Sequence, residues 1–312
     1  MRVAFIHDWQ PDFEQEYTWR DGLAAAIKIL SERHTLKFFT CGKTDFIIPH
    51  PYFPIHVSTD LLRDVSHFQP YVLIHWADCT RPNAERLASL GKPMALCFAG
   101  GATDSYTARF FDHFFVESEV YKERFIAAGK SVSTAFGTNT HLFQPIKQAK
   151  IFDAIFPATF CEWKRHQLFA KATSTLKACA VGYIQPHGKE SHCWTPCVDR
   201  GNLVLPHVSA EALHRLYAAS KVCVIPSRSD GGSQRTVLEA LAMNIPVVVC
   251  EDSDKTTEYI RQSEGLIVPP DPVAIYQAIC QSRDKTPNTR DYILKNWSEI
   301  TYADAINSWI TQ

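Results

Sequence analysis

No apolar run in the 312-residue sequence approaches the ~20 residues that a helix needs to cross a bilayer, so no membrane-spanning helix is expected. The opening MRVAFIHDWQ is apolar for only a few residues before His7 and Asp8, which reads as a first strand and not as a secretory signal. Net charge is nearly absent: 32 Lys and Arg stand against 33 Asp and Glu, leaving -1 and a pI of about 6.9. That balance excludes a broad electrostatic pull toward nucleic acid or acidic membrane, though a local basic patch fits within it. Short-period repeats and low-complexity tracts are missing as well. The expectation is a soluble, cytoplasmic protein without stable membrane insertion, long enough for two domains of ordinary size.

The ten cysteines do not read as a disulfide framework. Cys97 in MALCF, Cys179 in LKACAV, Cys223 in VCVIP and Cys250 after PVVV lie in apolar runs and behave as small buried hydrophobes. One cluster offers metal ligands: His187, His192, Cys193 and Cys197 in HGKESHCWTPC. It lacks the paired Cys-x2-Cys spacing of common structural zinc sites, so the expectation is a surface loop with partly buried thiols and no bound metal.

What the sequence does have is alternation. VAFI, DGLAAAIKILSERH, LKFF, YVLIHW, NAERLASL, PMALCF and FFVES fill the first half. FDAIFPATF, HQLFAKATSTLKA, CAVGYI, NLVLP, SAEALHRLYAAS, VCVIP, a helix from about Arg235 and PVVVC fill the second. Short strands and helices in turn predict an α/β fold with parallel sheets covered on both faces, in two Rossmann-like halves. Gly137, Asn139 and Pro145 interrupt the pattern. The expected division is a first domain over 1–146, a second over 147–290, and a final helix over 291–312 that packs back on the first through a stripe of Trp297, Tyr302, Ile306 and Trp309.

The most informative stretch is 222–249, VCVIPSRSDGGSQRTVLEALAMNIPVVV, which reads as strand, loop, helix and strand. Gly231 and Gly232 let backbone approach a ligand, and the first turn of the next helix leaves N–H groups that suit phosphate or hydroxyls. Val237, Leu238, Leu241 and Ala242 recur at helical spacing and face the sheet, which puts Arg235 and Glu239 on another face near the loop.

This segment resembles the donor-binding signature of the retaining glycosyltransferases of family 4, PS-x-x-E-G-F-G-x-x-x-L-E-A-M-A-x-G-x-P-V-V. Pro226, Ser227, Leu238, Glu239, Ala240, Leu241, Ala242, Pro246, Val247 and Val248 match it. GTNTHLFQP, LPHVSAEALHRLYAAS and GLIVPPDPVAIYQAI resemble further family segments in the family's order, so the resemblance covers most of 137–280. It implies the GT-B architecture, two Rossmann-like domains facing a central cleft with a C-terminal helix crossing back. It also implies metal-independent, retaining transfer of a hexose-type sugar from a nucleotide-diphosphate sugar, a co-substrate and not a cofactor.

Carried over residue by residue, Glu239 is the second glutamate of the family's Glu-x7-Glu motif, which holds ribose, and Lys164 in FCEWKRHQLF is the diphosphate-binding lysine at a helix start. Gly231 stands in place of the first glutamate, with Asp230 one residue earlier, so contact with the donor sugar is made by a shifted carboxylate or lost. Thr159 stands where the family usually has an arginine five residues before the lysine, and Ala99 where it often has a histidine. The remaining donor contacts are expected from Arg165, Ser233, Gln234, Arg235, Thr236, Val237, Gly100 and Gly101, beside Gly231 and Gly232.

For an acceptor, His7 with Asp8, and His75 with Trp76 and Asp78, fall at predicted strand ends, where open α/β sheets bind ligands. Trp9, Tyr17 and Trp19 offer stacking surfaces, and Asp104 with Ser105 offers either polar contacts or a helix cap. The leading expectation is a hexosyltransferase acting on a hydroxyl acceptor, be it a glycan, a small molecule, a protein or, less readily, a modified nucleic-acid base. Two other readings stay open: a nucleotide-sugar binder with little transferase activity, and a sugar-nucleotide epimerase that uses His75 or His7 as its base.

Overall fold

The computed structural model describes residues 1–8, 22–50, 52–76, 80–98, 105–183, 191–228, 235–261 and 265–312. Among them the chain forms two compact units: residues up to Gly137 joined by Glu299–Gln312, and Thr138–Ser298.

In the first unit the strands are β1 (Arg2–His7), β2 (Thr35–Cys41), β3 (Phe46–Ile48), β4 (Ile55–Ser58), β5 (Val72–Trp76), β6 (Met94–Phe98), β7 (His113–Val116) and β8 (Ser131–Thr134). Helices α1 (Gly22–Arg33), α2 (Leu61–Phe68), α3 (Arg81–Ala88), α4 (Ser105–Ala108) and α5 (Glu119–Ala127) connect them. The sheet runs β3-β4-β2-β1-β5-β6-β7-β8 and is parallel except for β3, an antiparallel edge strand. VLIHW and MALCF are buried at every residue, as strands covered on both faces must be. The winding reverses between β1 and β5, and at that switch point the Asp8 carboxylate meets His75 Nε2 at 2.7 Å and accepts the Thr80 backbone N–H. The pair has side chains about 1% exposed and joins two strand ends to the start of α3.

The second unit contains β9 (Phe152–Pro157), α6 (His166–Ala172), β10 (Ala178–Val181), α7 (Ser191–Asp199), β11 (Leu203–Leu205), α8 (Ala210–Ala218), β12 (Ser220–Ile225), α9 (Arg235–Ala242), β13 (Val247–Cys250), α10 (Asp254–Arg261), β14 (Leu266–Val268), α11 (Pro272–Ser282) and α12 (Arg290–Asn296). Its six strands are all parallel in the order β11-β10-β9-β12-β13-β14. Numbered within the unit this is 3-2-1-4-5-6, the Rossmann order, with its switch point between β9 and β12.

Three expectations need correction. The final helix is two: α12 ends at Asn296 and α13 (Glu299–Ile310) begins after a break. Thr138 takes the Trp297 carbonyl at 2.9 Å and bridges Ser298, so the backbone there serves a β-type contact and cannot continue a helix. Trp297 accordingly packs edge-on against Tyr259 of the second unit, while α13 lies on α1 with Tyr302, Ala303, Ile306 and Ile310 buried and Trp309 stacked on His113. The junction falls at Gly137 rather than at 146, because Arg290 draws the next segment into the second unit: its guanidinium donates to the carbonyls of Thr140 (3.0 Å), Phe143 and Ala242 (both 2.8 Å). Lastly, the His–Cys segment is no loop from Ser191 onward but helix α7, because Cys193 and Cys197, one turn apart, face inward and pack it on α6. No helix among the described residues is long and apolar enough to cross a membrane.

Two predictions follow from these contacts. Arg290→Ala leaves three carbonyls short of a charged donor and is expected to cost about 2–4 kcal/mol in urea denaturation; a loss under about 0.5 kcal/mol would show that the guanidinium does not hold the segment. For Asp8, burial pushes the carboxyl up, but the hydrogen bond and charge of His75 and the bonds from Thr80 outweigh it and hold the group at about 2. A carboxyl depressed in the fold stabilises above its unfolded pKa, and the benefit is lost as pH falls through the folded value. Asp8→Asn is therefore expected to cost about 2 kcal/mol at pH 7, with the gap to wild type closing between about pH 4 and pH 2. A gap that is constant over that range would mean that the fold does not hold the Asp8 carboxyl low.

Candidate active site

The winding of the second unit sets its site. In an open parallel sheet the connections after two strands wound in opposite directions diverge, and the crevice lies beyond their carboxyl ends. Here those strands are β9 and β12. β9 is followed by a 3-10 turn, Glu162–Lys164, and β12 by Pro226, Ser227 and Arg228. The two segments are stitched together: the Arg228 N–H donates to the Trp163 carbonyl at 3.0 Å, and Arg165 Nη1 reaches the Pro226 carbonyl at 3.4 Å.

Lys164 is buried, with Nζ 4.0 Å from the centre of the Trp163 ring. A desolvated ammonium over an indole face keeps its charge close to the crevice at lower cost than one buried among aliphatics. His166 lies between Phe156 and Phe160, with ring centres 4.5 and 4.4 Å away. Burial, with the charge of Lys164 adding to it, pushes its imidazole down to about 3, so it packs as a neutral ring.

Arg165 does not begin the helix, as the sequence reading has it. It adopts a left-handed backbone, φ 58°, between the 3-10 turn and α6. That turn sends its guanidinium to Asp252 after β13, with bonds to both carboxylate oxygens. The sequence reading missed Asp252, since nothing local ties residue 252 to residue 165. Arg228 was missed for the same reason.

Helix α9 also departs from expectation. Thr236 through Ala242 are all buried and only Arg235, at the start of the helix, is partly exposed, so Glu239, 0% exposed, lies inside the unit. Tyr217 on α8 donates its hydroxyl to Glu239 Oε2 at 2.9 Å and lies 3.2 Å from the Thr236 carbonyl. The other end of α9 is closed by α12: Thr289 Oγ1 donates to the Leu241 carbonyl at 2.6 Å and Arg290 to that of Ala242. Asn244, φ 56°, turns the chain and accepts the Thr289 and Arg290 N–H groups on Oδ1.

The structure thus brings Lys164, Arg165, Arg235, Thr236, Val237 and Glu239 into one unit, with Lys164 and Arg165 at its switch point. Asp230, Gly231, Gly232, Ser233 and Gln234 lie outside the described residues, as do Gly100, Gly101, Asp104, Trp9, Trp19 and His187. In the first unit His7 is partly exposed at the end of β1, with Trp76 edge-on at 5.8 Å. His75 is enclosed and held by Asp8. Of the proposed zinc ligands, Cys193 Sγ lies 3.5 Å from His192 Nε2, while Cys197 donates its thiol toward the His166 carbonyl at 3.7 Å. Burial, with Cys179 beside it, pushes the Cys197 thiol up to about 12.

Residues 152–284 match the family described as Glycosyl transferases group 1. No curated protein matches the chain. Among solved structures, sucrose-phosphate synthase from Thermosynechococcus elongatus superposes with a TM-score of 0.75 at 16% identity, over 100% of this chain and 98% of the other. Anabaena HepE in complex with UDP gives 0.76 at 12% identity over the whole of both chains. A putative UDP-N-acetylglucosamine 2-epimerase from Listeria monocytogenes gives 0.65 at 12%, over 99% and 95%. The protein therefore has the GT-B fold of two Rossmann-like domains, and its second domain carries a segment similar to the glycosyl transferases of group 1.

Proposed function

We propose that the protein is a glycosyltransferase that moves a hexose from a nucleotide-diphosphate sugar to a hydroxyl acceptor with retention of configuration. The single observation that carries this reading is the position of Lys164: a buried cation at the switch point of a Rossmann-ordered sheet, inside the segment similar to group 1 glycosyl transferases. That Anabaena HepE is titled in complexes with UDP and with UDP-glucose makes a uridine nucleotide the first donor to try.

The chemistry follows from charge. When the glycosidic bond to the leaving diphosphate breaks, negative charge grows on its terminal oxygens, and a cation already in place stabilises that state more than the bound donor. Lys164 supplies this charge. The 231–237 loop and the start of α9 hold the nucleotide, Glu239 its ribose, and Asp230 the transferred sugar in place of the glutamate that Gly231 lacks. In a retaining front-face reaction the departing phosphate also takes the acceptor proton, so neither a metal nor another cofactor enters. The acceptor, a glycan or a small hydroxylated molecule in the cytoplasm, is held by the first unit, where His7, Trp9, Trp19 and Asp104 are candidates. His75 acts there only by fixing Asp8 and the strand ends.

A binder without turnover is the second reading, favoured by Thr159 and Gly231 standing where a cation and a carboxylate are expected. One experiment separates the two. Melting temperatures and product release are measured with UDP-, GDP- and ADP-hexoses. Stabilisation together with slow hydrolysis to the nucleoside diphosphate is expected; stabilisation without any turnover would leave the binder, and no response to any donor would sink both. Lys164→Ala is expected to slow turnover by on the order of a hundredfold while weakening donor binding less than about tenfold. Equal losses in the two would reduce the lysine to an anchor.

A further inference from the structure

We infer that the first unit carries a groove, between α2 and the outer strands of its sheet, that binds a small aromatic anion: a flat ring joined to a phosphate or carboxylate. The groove follows from the winding. Helix α2 links β4 to β5 and lies over β1 and β2, where Leu61 and Val65 join Ala4, Ile6 and Phe39 in one core. Its eight residues span only ~12 Å, and β4 and β3 continue the sheet outward past it. Their face on that side is therefore a floor, with Asp64, His67 and Phe68 of α2 as a wall, around a space of about 670 Å³. That is room for a small molecule.

Register decides what the floor presents. Ala4 pairs with Lys37, Phe39 with His56, and His56 with Ile47 of the edge strand. Alternate residues share a face, so Arg2, Lys37, Phe39, His56 and Ile47 all stand on the side that α2 covers in part. The Phe39 ring lies 5.5 Å from His56 and 5.9 Å from Phe68, and Ile47 is 58% exposed. Charge is sorted along this surface. At one end Asp45 and Asp64 are both paired with Arg63, at 3.2 and 2.7 Å. At the other, Lys37 stands 5.3 Å over the Phe68 ring, and Arg2 lies 5.9 Å from that of Tyr71 and donates to the neutral Gln69. Among the described residues neither of these two cations has an ion pair. Burial, and then the charge of Lys37, push the His56 imidazole down against the pull of Asp64, which keeps it a neutral ring beside the ammonium. A ring laid on Phe39 and Phe68, with its anionic group between Lys37 and Arg2, meets the apolar floor and the cations together. Arg2 opens β1 and Lys37 is third in β2, so the anion end lies toward the amino ends of the strands. It is separate from the carboxyl-end position of His7.

The test is calorimetric titration of the purified chain with 1-naphthyl phosphate and 1-naphthoate, set against inorganic phosphate as the charge alone and 1-naphthol as the ring alone. At least one of the aromatic anions is expected to bind with a Kd of about 0.1–1 mM, and the charge or the ring alone at least about tenfold more weakly. The tighter of the two anions tells whether the groove takes a phosphate or a carboxylate, and either supports it. Lys37→Gln and Ile47→Asp are each expected to weaken that anion about tenfold, whereas Lys164→Ala, in the other unit, is expected to change it less than twofold. Ile47→Asp changes an exposed side chain and so tests the groove even if the lysine variant folds poorly. Three results would overturn the proposal: no binding of either aromatic anion, binding of naphthol or inorganic phosphate as tight as theirs, or a loss in Lys164→Ala with Lys37→Gln unaffected. The nucleotide-sugar reading stands or falls by the donor screen alone.

Discussion

A helix buried as far as its carboxyl end must have the backbone groups there satisfied by protein, and α9 is such a helix. Much of the second unit can be understood from that requirement. Thr289, Arg290 and Asn244 close its carboxyl end, which obliges α12 to dock beside it and draws residues 138–143 into the same unit. Tyr217 of α8 reaches the Glu239 carboxylate and the Thr236 carbonyl, which ties α8 to α9. Glu239 inherits its position from this arrangement: a carboxylate one turn into a buried helix costs several kcal/mol unless it is stabilised, and the Tyr217 hydroxyl is one group that stabilises it.

The same logic separates the charges at the two switch points, each taken within its own unit. At β1/β5 the carboxylate and the imidazole are hydrogen-bonded and enclosed, which makes the pair a latch between strands. At β9/β12 Arg165 is bound to Asp252 by both nitrogens, and Lys164 lies over the Trp163 ring.

Periodicity made the strands legible, because fully covered parallel strands are written as unbroken apolar runs such as VLIHW and MALCF, and it made the helix over 235–242 legible through Val237, Leu238, Leu241 and Ala242. It could not show that the opposite face of that helix is buried too, since Glu239 and Thr236 look like solvent-facing residues until a tyrosine from another helix is placed against them. The break at Trp297 and Ser298 was hidden for a similar reason. Nothing in the apolar stripe there forbids a helix, and only Thr138, far away in sequence, competes for the backbone. Arg165 shows a third kind of failure: its left-handed turn is a backbone choice that no β-branched residue or glycine announces, and it decides where the guanidinium goes.

Identities of 12–16% to known GT-B structures establish a scaffold and little more, so the chemistry has to be argued from the residues this chain places on it. The scaffold sets two switch points, and the chain has spent its charges unequally on them. The first unit encloses its pair, and among the described residues there His7 is partly exposed, edge-on to the buried Trp76 ring. The second keeps a buried ammonium and a tyrosine-held carboxylate within one sheet–helix layer, an ammonium being complementary to phosphate and a carboxylate to hydroxyls.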